Sequence, residues 1–598
     1  MRQKLLSLLC LTLIVSALTG APARLSFFTH SQPDGSTVSI SLSGNEHNRF
    51  HITSDGIMVT LCDDGACRYV TSISDGLPIP GDMLAHDPSQ RTAAEKTALS
   101  HVSQQELHEA FKAGNLIDSD LYDQVARPGE YSISTAKTTG QVNIPVLLVN
   151  FPDKPFTLSD SLIRKRIDDQ MNLRGYTSRL TYNGNTGIGA IGSVRDYFES
   201  QSFGQFSPTF KIIGPITADS SYIYYGKNQG NDDVHAEQLM TEICQKAYRR
   251  GLLKTSDFCT DDDKVIDAVY LLYAGRGENY SHSDPNTIWP HYRPLSLNLG
   301  QTKVASGICS CELFYNTDTI IDGIGLFCHE YCHALGLPDF YDTRSEKVFA
   351  LKSWSLMDYG LYDNNDFAPT GMTAFERFSL GWMDLEIIQS PGRYSLSALD
   401  DGKAAYRLNT EDPHKFIILE NHGKTGWFRF QPSLGLMATA VSYTTRAWSG
   451  NTVNVSASNK GYSIIPADYI YSTQTQADDL YPYGNKDSIT YNSLPAASIN
   501  GAIQTDFTIH NITYSDGTVR FEAIGTATPV KAVSQDTGLS VTAGRGYLTV
   551  TAPSEITVTV WSISSRLQST IQGSSTVSLQ PGIYLIRAGG TAHKAIVF

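Results

Sequence analysis

The pattern of hydrophobic and polar positions marks out one region with buried strands and helices. Two continuous apolar runs, at 144–151 and 265–273, are typical of strands that are buried on both faces. Between them, residues 232–250 repeat apolar side chains at helical spacing and end in arginines just before Gly251, which predicts an amphipathic helix. The mixture of strands and helices therefore predicts an α/β domain over about 140–384.

The regions on either side of this domain have different patterns. Residues 24–136 begin with short strand-like stretches separated by turns, and the polar stretch 89–114 is typical of an exposed helix. Beyond residue 385 the helical pattern disappears, and alternating strands continue to the end, with Pro529 between two predicted β modules. The predicted segments are 1–20, 24–136, 140–384, 385–527 and 528–598.

The first twenty residues have a charge and hydrophobicity pattern of their own. Arg2 and Lys4 precede the apolar run 5–18, and small residues follow it. This order is typical of a secretory signal peptide, and the run is too short for a stable membrane span. Because no later segment is long and apolar enough to cross a bilayer, we expect a secreted protein that is extracellular or attached to the cell surface.

Composition narrows the classes of function. The 598 residues are 41% hydrophobic and 18% charged, which fits several folded domains with buried cores. The formal net charge of −14 argues against nucleic acid or an anionic membrane surface as the main partner.

Eight cysteines follow the predicted signal peptide, and an even number in an exported chain favours disulfides. Cys62 and Cys67 flank a turn, so a local bridge is expected there. Cys328 and Cys332 alternate with two histidines, but their helix face is rotated by about 100° from the histidine face, so all four side chains cannot surround one ion. We expect one or both to form a disulfide elsewhere, with a pair of buried thiols as the alternative. The expected disulfide partners are Cys309 and Cys311.

One helix motif carries the candidate chemistry. His329 and His333 lie four residues apart and project from one helix face, close enough to occupy two corners of a tetrahedral zinc site. Glu330 is placed to act as general base on the metal-bound water. Gly336 suits the left-handed position that ends a helix, and the chain then turns back so that Asp339 becomes the predicted third ligand. Three ligands leave one position open, as a catalytic zinc site requires.

Two further features belong to the predicted site. Asp342 is an alternative third ligand to Asp339. Met357 lies about twenty residues downstream, where metzincin zinc peptidases place a tight turn with a methionine beneath the metal. Tyr359 would reach the zinc or the developing oxyanion. For Met357 and Tyr359, packing in the core is the alternative.

The run from His329 to Asp342, His-Glu-x-x-His-x-x-Gly-Leu-Pro-Asp-x-Tyr-Asp, resembles that of the immune inhibitor A metallopeptidases, a secreted family related to the metzincins. Further landmarks of the family follow in order within about 32–523, and they include 193–197, 202–204, 273–275, 288–291, 375–377, 380–382 and 419–421. The resemblance implies a multidomain α+β fold. A propeptide at 24–136 would precede a metzincin-like α/β zinc-peptidase domain, and β-sandwich modules would follow it.

The resemblance also implies how the protein is made and what it binds. A propeptide implies a zymogen that an activating protease cleaves. The family's use of structural calcium indicates residues 261–263 and Asp267 as oxygen ligands, with an acidic solvated loop as the alternative. The chain departs from the family at Asn45, where an aspartate is usual, so the residue that imposes latency is not predicted. It departs again at Ala440 and Ser442, where the family often has a histidine and an aspartate, so no function is expected of them.

The last region resembles a different class of domain. Its final strands, at 582–587 and 593–598, are similar to the C-terminal sorting domain of type IX secretion, which implies secretion machinery as a partner; an unrelated small β-sandwich is the alternative. We expect a secreted zinc endopeptidase that acts on extracellular proteins or peptides. The alternatives are a non-catalytic surface adhesin that retains a structural zinc and a zinc amidase that acts on cell-wall peptides.

Overall fold

The fold is mixed α/β and multidomain, with many separate sheets. The computed structural model describes residues 19–597 apart from 25, 46–48, 63, 75–76, 115–135, 230–231, 260–263, 281–285, 316, 346, 492–497, 500–502, 526–539, 545, 555–556, 563–566, 581 and 589–590. Most of the predicted signal peptide, the predicted calcium loop at 261–263 and the predicted boundary at Pro529 lie outside the described residues.

The N-terminal region contains a six-stranded antiparallel sheet with a helix on each face. Its elements, after the short strand β1 (Thr19–Gly20), are β2 (Phe28–Ser31), β3 (Thr37–Gly44), β4 (Arg49–Thr53), β5 (Met58–Leu61), β6 (Cys67–Ser74), β7 (Leu77–Leu84), α1 (Ala93–Ser100) and α2 (Gln104–Gly114). Leu99 of α1 packs on one face, and Phe111 of α2 packs on the other. The helical prediction for 89–114 is confirmed, in two pieces.

The central region is built on one seven-stranded sheet. Its elements are β8 (Gly140–Asn150), α3 (Asp160–Asn172), β9 (Arg179–Tyr182), β10 (Asn185–Ile188), α4 (Val194–Gln201), β11 (Phe206–Thr217), α5 (Tyr222–Gly226), β12 (Asn228–Gln229), β13 (Asp232–Asp233), α6 (Ala236–Arg249), β14 (Val265–Ile266), β15 (Val269–Arg276), β16 (His291–Leu299), β17 (Thr302–Leu313) and α7 (Gly325–Ala334). The strand order is β1-β16-β17-β15-β8-β11, with β14 beside β17. Strands β17, β15, β8 and β11 are parallel, β16 is antiparallel to β17, and β1 lies on the outer edge of β16.

The predicted elements of this region are present with adjusted ends. The apolar run at 144–151 forms most of β8, whereas the run at 265–273 is divided between β14 and β15. The amphipathic helix starts later than predicted because Asp232 and Asp233 form β13, which pairs with β12. All ten residues of α7 are buried, so this helix lies inside the protein rather than on its surface.

The next region adds a sheet whose two faces belong to different cores. The elements of this region are α8 (Ala374–Ser379), β18 (Glu386–Ile387), β19 (Gly392–Leu396), α9 (Leu399–Gly402), β20 (Tyr406–Asn409), β21 (Lys415–His422), β22 (Gly435–Ser442), α10 (Thr445–Ser449), β23 (Tyr462–Ile464), β24 (Ser498–Ile499), β25 (Ile503–Gln504), β26 (Phe507–Ser515) and β27 (Thr518–Gly525). The sheet has the strand order β18-β20-β21-β22-β23. Side chains alternate along β21: Phe416 and Ile418 enter the core that contains α7, while Ile417 and Leu419 enter a second core with β26 and β27.

The core around α7 is continuous over a long part of the chain. It includes buried side chains from Val142 to Leu480. The division near residue 384 therefore stays a prediction, and apolar packing is continuous across that position.

The C-terminal region has a small core of its own. Its strands are β28 (Ser540–Gly544), β29 (Tyr547–Thr551), β30 (Thr557–Ser562), β31 (Leu567–Gln572), β32 (Ser575–Ser578), β33 (Gly582–Ala588) and β34 (Thr591–Val597). They form the sheets β28-β29-β32 and β31-β30-β33-β34. Within the described part of the chain, no helix has the length and hydrophobicity needed to span a membrane.

The cysteines correct one expectation from the sequence. Cys328 and Cys332 are buried thiols rather than disulfide partners, and the expected bridge between Cys62 and Cys67 is not formed either. Cys328 and Cys332 both pack in the apolar core around α7, where burial raises the pKa of each thiol well above its usual value. The disulfide prediction was wrong, and the buried-thiol alternative describes these two residues.

Candidate active site

Two buried histidines project side by side from α7. The ring centroids of His329 and His333 are 4.8 Å apart. His329 Nδ1 lies 2.9 Å from the carbonyl oxygen of Leu356, and His333 Nδ1 lies 2.7 Å from that of Leu337. Because a carbonyl oxygen only accepts, each Nδ1 carries the ring proton and each Nε2 keeps its lone pair for another ligand.

Asp339 approaches the same two rings from the chain that follows the helix. Gly336 has a φ of 104°, and the chain turns back there as its position after the helix predicts. Asp339 Oδ1 then lies 3.2 Å from His329 Nε2 and 3.3 Å from His333 Nε2. Burial acts to raise the pKa of the Asp339 carboxyl, but the neighbouring histidines outweigh it and hold this pKa well below its usual range.

The other aspartate of the motif has a different role in the structure. Asp342 Oδ1 accepts from the amides of Arg344 and Ser345, at 3.0 and 3.2 Å, and Oδ2 accepts from the Ser345 hydroxyl at 2.6 Å. Asp342 therefore shapes the loop that follows it, and Asp339 is the aspartate that faces the histidines.

The three converging atoms fit a zinc ion. His329 Nε2, His333 Nε2 and Asp339 Oδ1 are buried and have no hydrogen-bond partner elsewhere in the described structure. Zinc bonds of about 2.1 Å in a tetrahedral arrangement separate the ligand atoms by about 3.4 Å, close to both measured distances. Two imidazoles and a carboxylate are also a donor set that suits zinc.

The predicted general base lies on the ligand helix, beside a segment from the start of the described chain. Glu330 is fully buried, and its Oε1 accepts a hydrogen bond from the amide of Ala21 at 2.8 Å. Strand β1 pairs antiparallel with β16, placing Thr19 opposite Tyr292 and Gly20 opposite His291. The segment that starts at Thr19 therefore lies along the edge strand and against Glu330.

Two aromatic side chains fix the backbone of that segment. The Tyr341 hydroxyl donates to the Gly20 carbonyl at 2.5 Å, and Trp289 Nε1 donates to the Ala21 carbonyl at 3.0 Å. His291, the first residue of β16, has Nδ1 2.7 Å from the carbonyl oxygen of Trp289. It therefore supports the edge strand through a structural hydrogen bond.

The predicted methionine turn contacts the ligands through its backbone. The Leu356 carbonyl holds His329, and the carbonyl of buried Met357 accepts from the amide of Phe340, the neighbour of Asp339, at 2.7 Å. Tyr359 follows at the start of a 3-10 segment, and its ring centroid lies 4.4 Å from Lys352 Nζ. The catalytic role of Tyr359 stays a prediction.

Comparison with known proteins finds similarity to peptidases over the central part of the chain. Residues 132–387 match the family model described as Immune inhibitor A peptidase M6, catalytic domain. This part of the chain is therefore similar to an M6 peptidase catalytic domain. All five predicted site residues lie within this M6 segment.

Two curated relatives match part of this chain in sequence. The Pre-pro-metalloprotease PrtV of Vibrio cholerae serotype O1 is 26% identical over 309 residues, which cover 46% of this chain and 32% of that protein. Immune inhibitor A of Bacillus thuringiensis subsp. alesti is 26% identical over 212 residues, or 31% of each chain. The matched part of this chain thus spans about a third of the length of these relatives.

Two residues to which the sequence reasoning gave no role support the candidate site from further along the chain. Glu376 Oε1 accepts from the Ser355 hydroxyl at 2.6 Å and from the Met357 amide at 3.2 Å, so it holds the methionine turn. Asn451 lies beyond the M6 segment, and its side chain bonds both the amide and the carboxylate of Asp339, each at 2.7 Å. For Glu376 the sequence does contain a signal, the helix-capping pattern formed by Thr373 and Glu376. Asn451 has none, because 112 residues separate it from Asp339.

Proposed function

We propose that the protein is a secreted zinc-dependent endopeptidase that is made as a zymogen and hydrolyses peptide bonds in extracellular proteins. The observation that carries the proposal is the convergence of His329 Nε2, His333 Nε2 and Asp339 Oδ1 beside Glu330, within the segment that matches an M6 catalytic domain. Export through residues 528–598 by a type IX machinery, the β-sandwich modules and a metzincin-like arrangement of the catalytic domain belong to the same proposal.

The site residues divide the reaction between them. His329, His333 and Asp339 would hold zinc, which supplies Lewis acidity toward the scissile carbonyl and lowers the pKa of water. Glu330 takes a proton from the attacking water and returns it to the nitrogen of the amine that leaves as the C–N bond breaks. The Tyr359 hydroxyl donates a hydrogen bond to the carbonyl oxygen as negative charge develops on it.

The edge strand provides the binding surface for an extended substrate. Strand β16 pairs on one side with β17, and its other side is occupied by β1. A substrate backbone that replaced β1 would form the same kind of antiparallel hydrogen bonds, a common mode of peptide recognition. The peptide bonds of the substrate would then lie beside Glu330, where the amide of Ala21 lies in the structure.

Latency of the unprocessed protein is supported by contacts from the residues just before the predicted propeptide and from the propeptide itself. The backbone at Ala21 occupies Glu330 and the edge strand, as described above. Further along, the side-chain amide of Asn45 donates to the carbonyl of Thr343 at 2.9 Å, and Arg49 forms a buried ion pair with Glu278 at 2.8 Å. We propose that cleavage within residues 115–135, or close to them, lets this segment leave the cleft.

The test is zinc-dependent cleavage of casein by the processed protein. Glu330→Gln keeps the size of the side chain but removes the base, so activity should fall by more than 10²-fold while zinc content is retained. Glu386→Gln, at an exposed glutamate of β18, is the matched control and should retain activity. Chelation should abolish activity, and added zinc should restore it.

Other outcomes would favour the alternative functions. Zinc binding without cleavage of any protein after propeptide removal would favour the surface adhesin with a structural zinc. Cleavage restricted to cell-wall peptides would favour the zinc amidase. Equal activity of wild type and Glu330→Gln would contradict the proposed mechanism.

A further inference from the structure

An aromatic pocket holds the guanidinium group of Arg24. Arg24 Cζ lies 5.1 Å from the ring centroid of Phe314, 5.2 Å from that of Tyr315 and 5.9 Å from that of Tyr362. One of its terminal nitrogens, Nη2, donates to Asn365 Oδ1 at 2.7 Å. Three aromatic faces around one cation and an amide acceptor at its edge form a recognition site for a planar guanidinium.

One of a pair of buried carboxyl groups interacts with the cation in this pocket. Asp322 and Asp366 are both buried, and the Tyr280 hydroxyl lies 2.8 Å from Asp322 Oδ1 and 3.3 Å from Asp366 Oδ2. Burial raises the pKa of Asp366, and the charge of Arg24 acts in the opposite direction. The pocket thus combines three aromatic faces with an electrostatic interaction between Arg24 and Asp366, which suits arginine better than a neutral side chain.

One short segment of the chain connects this pocket with the catalytic site. Arg24 is the third residue after Ala21, whose amide binds Glu330. Between them, the carbonyl of Pro22 accepts from the Tyr362 hydroxyl at 2.6 Å, so one pocket residue also binds the backbone of the segment. The amide of Arg24 donates to the Asn279 carbonyl at 2.9 Å, which fixes the chain as its side chain enters the pocket.

We propose that the pocket formed by Phe314, Tyr315, Tyr362 and Asn365 is a substrate subsite for arginine. The arginine would lie three residues C-terminal to the residue whose amide meets Glu330. This inference rests on the proposed peptidase function, because it assumes that a substrate backbone replaces the segment 19–24. Once that segment has left, the pocket is open to the side chain of whichever peptide lies along β16.

The direct test is peptide binding to the processed protein, which works whether or not the protein is catalytic. A fluorescent peptide of the sequence Thr-Gly-Ala-Pro-Ala-Arg, taken from residues 19–24, is compared with versions ending in glutamine or lysine. Fluorescence anisotropy should give the arginine peptide at least about tenfold higher affinity than the glutamine peptide, with lysine between them. Mass spectrometry confirms that the peptides stay intact.

Variants then assign the preference to the pocket. Asn365 has a φ of 57°, so Asn365→Gly removes the amide acceptor without straining the backbone. It should reduce the arginine-to-glutamine affinity ratio several-fold, and Tyr362→Leu should reduce it further. The matched control is Asn364→Gly: Asn364 also has a positive φ, of 49°, but its amide binds the carbonyls of Ile188 and Gly189. The control should preserve the ratio, and Asn365→Gly remains informative if Tyr362→Leu does not fold.

Cleavage assays separate this inference from the proposed function. If peptides with arginine at the matching position are cut with a higher kcat/KM than glutamine peptides, and Asn365→Gly removes the difference, the subsite is supported. Equal binding of the arginine and glutamine peptides would overturn it, even in an active peptidase. If the protein binds the arginine peptide selectively but cleaves no protein or peptide, the peptidase function is overturned. The pocket would then be a peptide-binding site.

Discussion

Asn451 holds Asp339 at two points. Its side-chain oxygen accepts from the Asp339 amide, its side-chain nitrogen donates to Asp339 Oδ2, and both distances are 2.7 Å. This arrangement leaves Asp339 Oδ1 directed toward the two histidines. The orientation of the predicted third metal ligand thus depends on a residue outside the segment that matches the M6 catalytic domain.

Removing this support should weaken metal binding. Asn451 has a φ of 50°, so Asn451→Gly deletes the side chain without adding backbone strain. We expect zinc affinity to fall by about 10–100-fold, the usual effect of losing a residue that orients a metal ligand. Competition with a fluorescent chelator measures the affinity. Asn459→Ala, at an exposed asparagine nearby, is the control, and equal affinities in all three proteins would contradict the role of Asn451.

A hydroxyl at Tyr359 should matter for the chemical step rather than for metal binding. Tyr359→Phe should lower kcat by about 10²-fold if the hydroxyl stabilises the oxyanion, because that interaction is formed mainly in the transition state. KM and zinc content should change little. The control is Tyr224→Phe, whose hydroxyl donates to Gln238 on another part of the surface. An unchanged kcat would assign Tyr359 to packing.

The buried pair of Arg49 and Glu278 should help to keep the unprocessed protein inactive. Arg49→Ala would leave the Glu278 carboxylate buried without its counter-charge, a change that costs about 3–5 kcal/mol at comparable sites. The predicted propeptide should therefore bind more weakly, and the unprocessed protein should show higher activity on a short fluorogenic peptide. Arg68→Ala is the control, because its partner Asp64 is exposed. Equal basal activity in the two variants would argue against this contact as a latch.

The pKa of Asp479 predicts how stability depends on pH. Burial raises this pKa from 3.8 to about 7, although a hydrogen bond from Trp354 Nε1 to the carboxylate opposes the shift. The folded state therefore binds the proton more tightly than the unfolded chain, so the free energy of unfolding should fall as pH rises from about 4 to about 7 and then level off.

Asp479→Asn should flatten this dependence, since an asparagine oxygen can still accept from Trp354. Urea unfolding at a series of pH values gives the measurement, and Asp487→Asn, at an exposed aspartate, is the control. The same slope in wild type and Asp479→Asn would show that another group causes the dependence.

The sequence predicted the parts of the site that depend on local geometry. The spacing of His329 and His333 and the turn at Gly336 are properties of one helix and its end, and the structure brings both rings and Asp339 together. The assignment of these residues as metal ligands stays a prediction. The choice between Asp339 and Asp342 required the structure, because both follow the same turn and only their contacts distinguish them.

Local sequence patterns did not predict the contacts between distant parts of the chain. Asn451 follows the site in the sequence and the segment at Ala21 precedes it, and neither has a motif that indicates where it lies in space. The expected disulfides failed for a related reason. The number of cysteines and the expected export favoured pairing, but the burial of Cys328 and Cys332 in the core depends on how α7 packs.

The continuous core from Val142 to Leu480 affects how this protein can be divided into fragments. A fragment that ends at residue 387, where the family match stops, would lack Asn451 and would expose apolar side chains that normally pack on Phe416 and Ile418. Such a fragment should aggregate when it is expressed by itself. The smallest piece that can be transferred to another protein with its metal-binding capacity intact therefore extends at least to Leu480.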